Sequence, residues 1–191
     1  MKKLLSFLKS VFQLGFVIGS AIFLYYGYVH LEGNSRFINA VESTRGNMEA
    51  RAIGGRLKPL YKDLERIHPV QVPDKFPGRV FQIKEKEKGP LIVAHVQRDL
   101  QCASCKSLDF LLLVDYKAVV QKVILWQPLE SEGKPVNAND YLKQFEGKSF
   151  EGPITVGKEV EGIKDAPIYG QALTEAISDT LEAVKKDILK K

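Results

Sequence analysis

Cysteine is nearly absent from this 191-residue chain: Cys102 and Cys105, in the stretch CASC, are the whole supply. Histidine is almost as scarce, with three. These shortages exclude several chemistries. A structural zinc site needs four ligands, and His30, His68 and His95 are too scattered to complete one with the cysteine pair, so no metal site is expected within the chain. Covalent haem attachment needs Cys-x-x-Cys-His, and position 106 is lysine, so no haem is expected. A thioredoxin-like dithiol sits at a helix N-terminus, which lowers its thiol pKa. Here CASC runs into KSLDFLLLV, which reads as a strand. Three readings of the pair stay open: a disulfide in an oxidising compartment, a redox-active dithiol, or half of a metal or iron–sulfur site shared with a partner.

An excess of one charge is also missing where it would matter. The net charge is +5, but Lys2, Lys3 and Lys9 precede an apolar run, and the rest holds 25 basic against 23 acidic residues. Those charges are interspersed, as in Lys84-Glu-Lys-Glu-Lys88. No basic stripe with interleaved aromatics is present, so nucleic acid is excluded as a partner. There are no internal repeats. No paired carboxylates, histidine-centred triad or phosphate-cradling glycine loop stands out, which argues against a hydrolase or transferase. The expectation is a non-catalytic subunit.

The chain does have one long hydrophobic run. Residues 11–29 (VFQLGFVIGSAIFLYYGYV) contain no charge. A helix of that length, at about 1.5 Å per residue, matches the roughly 30 Å hydrocarbon core. With the lysines on its N-terminal side, the positive-inside rule puts residues 1–10 in the cytoplasm and the rest outside. The run is too long for a cleaved signal peptide and ends in Tyr-Tyr-Gly-Tyr, a poor cleavage site. Gly15 and Gly19 form a small-xxx-small pair suited to packing on another membrane helix.

Residues 30–79 read as a stalk. Leu57, Leu60, Tyr61, Leu64 and Ile67 predict a docking helix over 57–67, with Pro59 in its first turn and Pro69 as its stop. VQVPDKFPG (70–78) then reads as a linker. From residue 80 the pattern turns to strands: 80–83, 91–96, a continuous apolar run at 108–114, and 119–126. A short helix is expected at 140–145, capped by Asn139 or Asp140 and closed by Gly147. An amphipathic C-terminal helix follows, with Leu173, Ala176, Ile177, Thr180, Leu181, Val184, Ile188 and Leu189 on one face. The predicted fold class is α+β: one transmembrane helix, then a domain over 80–191 with an antiparallel-rich sheet closed by a C-terminal helix.

Over about residues 105–188 the chain resembles the FMN-binding domain family. The resemblance is carried by SLDFLLLVDYKAVVQKVILWQPLESEG, NDYLKQFEGKSF and IKDAPIYGQALTEAISDTLEAV. The family includes the flavin-bearing C subunit of sodium-pumping NADH:quinone reductase and its G-subunit counterpart in Rnf complexes. Its hallmark is Asp, a short gap, Ser/Thr-Gly-Ala-Thr-x-Ser/Thr, then a helix whose N-terminus can meet a phosphate. Matched on Gly170, the flavin-bearing position falls on Ala172, which has no hydroxyl. Tyr169 replaces the Ser/Thr before the glycine, Asp165 lies one residue further back than usual, and Thr174 takes the second hydroxyl position. The resemblance therefore implies a bacterial cytoplasmic-membrane protein with a periplasmic or extracellular domain, acting as an accessory subunit beside other membrane redox subunits. Covalent FMN is not expected. Non-covalent FMN, stacked on Tyr169, Tyr141 or Trp126, is one alternative, and a tethered thiol–disulfide protein using Cys102 and Cys105 is another.

Overall fold

The computed structural model of the chain describes residues 35–85, 89–100, 107–131 and 133–190, with isolated helical positions at 15, 18–20 and 22. Most of the apolar run 11–29 lies outside the described residues, as do Cys102 and Cys105. Among the described residues no helix is long and apolar enough to cross a membrane. At Gly15 and Gly19 a side chain would meet nothing within 4 Å. The chain divides into two units, Met1–Met48 and Glu49–Lys191.

The second unit is α+β. A five-stranded antiparallel sheet runs in chain order, β1 (Leu64–Val70), β2 (Gly78–Glu85), β3 (Gly89–Arg98), β4 (Leu108–Asp115) and β5 (Val120–Leu125). β2 to β5 fall on the four strand-like runs of the sequence, and β1 lies where a helix is expected. β4 is buried from Leu108 to Val114, on both faces. A continuous apolar strand needs cover on each side, and the chain supplies it with helices. Helix α1 (Ser35–Leu57) lays Ala50, Ile53 and Leu57 against Phe81, Ile83, Val93, Leu111 and Leu113. The opposite face, through Val80, Ala94, Val96, Phe110 and Leu112, shares a core with the C-terminal helix α3 (Pro167–Ala183). Leu173, Ala176, Ile177, Thr180 and Leu181 of α3 are buried as their spacing predicts. A π-turn, Val184–Ile188, prolongs the helix and keeps Ile188 and Leu189 on the same core.

Between sheet and α3 come a two-stranded ribbon, β6 (Glu130–Ser131) with β7 (Lys134–Pro135), and the short helix α2 (Asn139–Lys143). The expected caps Asn139 and Asp140 lie inside α2. Ala138 is the N-cap, and the Asn137 side chain accepts the Asn139 N–H at 3.2 Å. Gly147, at φ +82°, turns the chain after it, as expected.

Residues 57–67 do not form the expected docking helix. Helix α1 stops at Leu57, two residues before Pro59, and Leu64–Val70 is a strand. The misleading signal has a physical source. A bulge between Leu64 and Arg66 inserts Glu65, so Leu64 pairs with Glu85 and Ile67 with Ile83. Two apolar residues three apart thereby face the same side, which imitates a helical period. Both pack on the α1 side of the sheet. Nor is 70–78 a linker: Val70 and Gly78 belong to paired strands, and Phe76 between them is buried. The compact unit therefore begins at Glu49 rather than at residue 80.

Gly78 is the tightest point of the sheet. A Cβ there would lie 2.3 Å from the His95 carbonyl oxygen on β3. Gly78→Ala should lower the urea midpoint by the equivalent of about 1–3 kcal/mol, the usual cost of overpacking against backbone. An unchanged midpoint would mean that β2 and β3 are not in this register.

Candidate functional site

Of the hallmark residues, Tyr169, Gly170, Ala172 and Thr174 lie in the first turns of α3, and Asp165 precedes the helix. The helix starts at Pro167 with Ala166 as N-cap. Proline at the first position has no N–H to offer. The Gly170 N–H is already donated to the Ala166 carbonyl at 3.1 Å. Gly170 is there for close approach: a Cβ on it would lie 3.0 Å from the Ile163 nitrogen. Tyr169 is buried, 3 % exposed, in the core beneath the helix. Ala172 is half-buried beside the same core.

Thr174 is 1 % exposed. Its hydroxyl donates to the Gly170 carbonyl at 2.9 Å and lies 2.5 Å from the Tyr141 hydroxyl, which itself donates to that carbonyl at 2.5 Å. Three oxygens thus close on one another between α2 and α3. Burial pushes the Tyr141 phenol above its ordinary value against the opposing pull of the Thr174 hydrogen bond, so it stays neutral. A phosphoester on Thr174 would have to displace this ring of contacts.

Asp165 alone among the hallmark residues is exposed. It stands on an open cleft of about 660 Å³ that Lys134, Asp140, Tyr141, Gln144, Glu161 and Lys164 also line. Three carboxylates face two ammonium groups there.

A second group, which the sequence reasoning missed, lies on the α1 face of the sheet. His95 on β3 is held between two carboxylates: its Nδ1 bonds to Glu49 Oε1 of α1, and its Nε2 to Asp109 Oδ1 of β4 at 2.7 Å. Glu49 Oε2 accepts from Arg79 at 3.0 Å, and Asp109 Oδ2 from Gln97 at 3.1 Å. Trp126 leans on the imidazole, ring centroids 5.0 Å apart, and the Arg56 guanidinium stacks 4.7 Å above the indole. Arg56 also donates to the Trp126 carbonyl at 2.7 Å. The signal available beforehand was a polar residue interrupting an apolar strand, His95 in LIVAHV and Asp109 in LDFLLLV. Glu49, 46 residues from His95, carried no such mark.

Burial alone would pull the His95 imidazole below its ordinary value. The hydrogen bonds and charges of Glu49 and Asp109 outweigh it, and the net displacement is upward. For Glu49, burial pushes up, but the hydrogen bond and charge of His95 with Arg79 bring it down. Arg79, Glu49, His95 and Asp109 thus join in one line of contacts. Both imidazole nitrogens are committed, so neither is free to activate a nucleophile or take a metal. Among the described residues no group of three or more His, Cys, Asp or Glu side chains could hold a metal ion. The line clamps α1 to three strands.

No protein-family model matches the chain, and no curated protein matches it.

Two outcomes follow from these groups. His95 contributes stability that is complete below its ordinary value of 6.5 and lost as pH rises through its higher folded value. Glu49 contributes stability that is complete above 4.5 and lost as pH falls through its lower folded value. The difference in Tm between wild type and His95→Gln should therefore be largest between pH 4.5 and 6.5 and shrink on either side. A difference that grows above that window would show His95 to be neutral in the fold. Tyr141→Phe should cost about 0.5–1.5 kcal/mol in urea unfolding, the worth of a buried hydrogen bond; no cost would mean that the Tyr141–Thr174 contact is not made.

Proposed function

We propose that the protein is a membrane-anchored, extracytoplasmic, non-catalytic subunit of a redox complex in the bacterial cytoplasmic membrane, with a flavin-type domain that carries no covalent flavin. The observation that supports this reading best is the enclosed Thr174 hydroxyl. The one hydroxyl left in the hallmark is spent on Tyr141 and Gly170, and the preceding flavin-bearing position is Ala172. The aromatic rings that would stack on an isoalloxazine are also in use. Tyr141 and Tyr169 are core residues, and Trp126 is held between Arg56 and His95.

A second reading, non-covalent FMN, has one feature in its favour: the cleft beside Asp165 is of cofactor size. Its charge opposes that reading. An FMN phosphate would meet Asp140, Glu161 and Asp165 as well as Lys134 and Lys164.

The full chain, purified in detergent from its native membrane, should be colourless in the flavin region, give no fluorescent band on a denaturing gel, and bring other membrane proteins with it in fixed ratio. Flavin absorbance that is lost on denaturation would replace this reading with the non-covalent one. A fluorescent band, or a monodisperse lone chain, would sink it.

A further inference from the structure

Not all of the sheet face toward α3 is covered. Beyond the row His68–Gln82–Ile92 lies the row Arg66–Lys84–Pro90, in direct cross-strand register on β1, β2 and β3. Partners in register share a face. Arg66, His68, Lys84 and Pro90 are exposed, and with Glu65 and Gln82 they line an open groove of about 790 Å³. Gln82 donates to the Tyr116 hydroxyl.

Two cations directly opposite each other on neighbouring strands destabilise a sheet. Here the sequence places Arg66 opposite Lys84, and neither makes an ion pair with a described acid. Elsewhere the same surface pairs its charges readily, as in Arg98 with Glu175 and Asp179, Lys143 with Asp140 and Lys186 with Glu182. A like-charge pair with no counter-ion among the described residues is relieved when an anion arrives. We infer that this groove docks a carboxylate-bearing segment of a partner subunit, one acidic side chain meeting Arg66 and another Lys84, with His68 and Gln82 as further hydrogen-bonding groups.

The chemistry favours a protein over the other anions. Lipid recognition by charge draws on clusters of about 4–8 Lys and Arg, and interfacial binding adds inserted apolar side chains; this groove has two such cations and only Pro90. A small free anion would find no buried donor to hold it. The partner does not add a strand to the sheet, because β1 is guarded at its open edge by the Glu65 bulge and Pro69. This inference rests on the accessory-subunit reading only for the identity of the partner, since the groove stands without it.

The test uses the full chain in neutral-detergent micelles and a fluorescein-labelled peptide of alternating Glu and Gly, blocked at both ends. Its Lys–Gly counterpart and vesicles containing phosphatidylglycerol serve as the other probes. Anisotropy should show saturable binding of the Glu peptide alone, weakening as salt rises. Lys84→Glu should weaken that binding about tenfold, equivalent to about 1.4 kcal/mol. The same change should leave Tm unchanged or raise it by up to about 3 °C, because it turns a like pair into an opposite one. Equal binding by wild type and K84E, or none by either, would overturn the docking surface. Vesicle binding that K84E abolishes, with the peptide ignored, would overturn it in favour of a lipid contact. A flavin-bearing chain that binds the peptide removes the accessory-subunit reading and leaves the groove; a flavin-free chain blind to the peptide does the reverse.

Discussion

Everything in the compact unit answers to one strand that is apolar on both faces. Leu108 to Val114 of β4 put no side chain in water, and each buried Leu or Phe is worth about 1.5–3 kcal/mol only if something covers it. One helix cannot cover two faces. The unit therefore recruits α1 from before the sheet and α3 from after it, and the meander between them is the shortest route that keeps β4 inside. The single buried polar residue of that strand, Asp109, is then a problem to be solved locally, and His95 solves it.

That solution reaches further than the strand. An imidazole bonded on both sides is a two-ended connector, and its second end picks up Glu49 from α1. Glu49 in turn holds Arg79 of β2. A line of charge with little water around it is intolerant of a missing member, because the partner left behind stays buried and unpaired. The last turns of α1, from Glu49 to Leu57, are thereby fixed to the sheet by both apolar packing and charge.

The other face treats its polar groups differently. There Tyr141, Thr174 and the Gly170 carbonyl satisfy one another between two helices. Tyr169, Gly170 and Thr174 are buried packing residues, and Asp165 faces solvent. At the uncovered end of the sheet, Arg66 stands opposite Lys84 with no ion pair to a described acid.

The sequence by itself determined the strands from residue 78 to 125, the C-terminal helix and its buried face, because period two, period 3.6 and a continuous apolar run are local patterns. It also determined that Ala172 has no oxygen to carry a phosphoester. Three things were left to the tertiary structure. Residues 64–70 became a strand because pairing with β2 through a bulge satisfies the same apolar spacing that a helix would. Thr174 became inaccessible because α2 brings a tyrosine from 33 residues away onto it. The Glu49–His95–Asp109 line and the Arg66–Lys84 opposition exist only once register is set, since each joins residues whose neighbours in the chain say nothing of one another. Periodicity shows which face of an element is buried; only pairing decides which residue it will meet there.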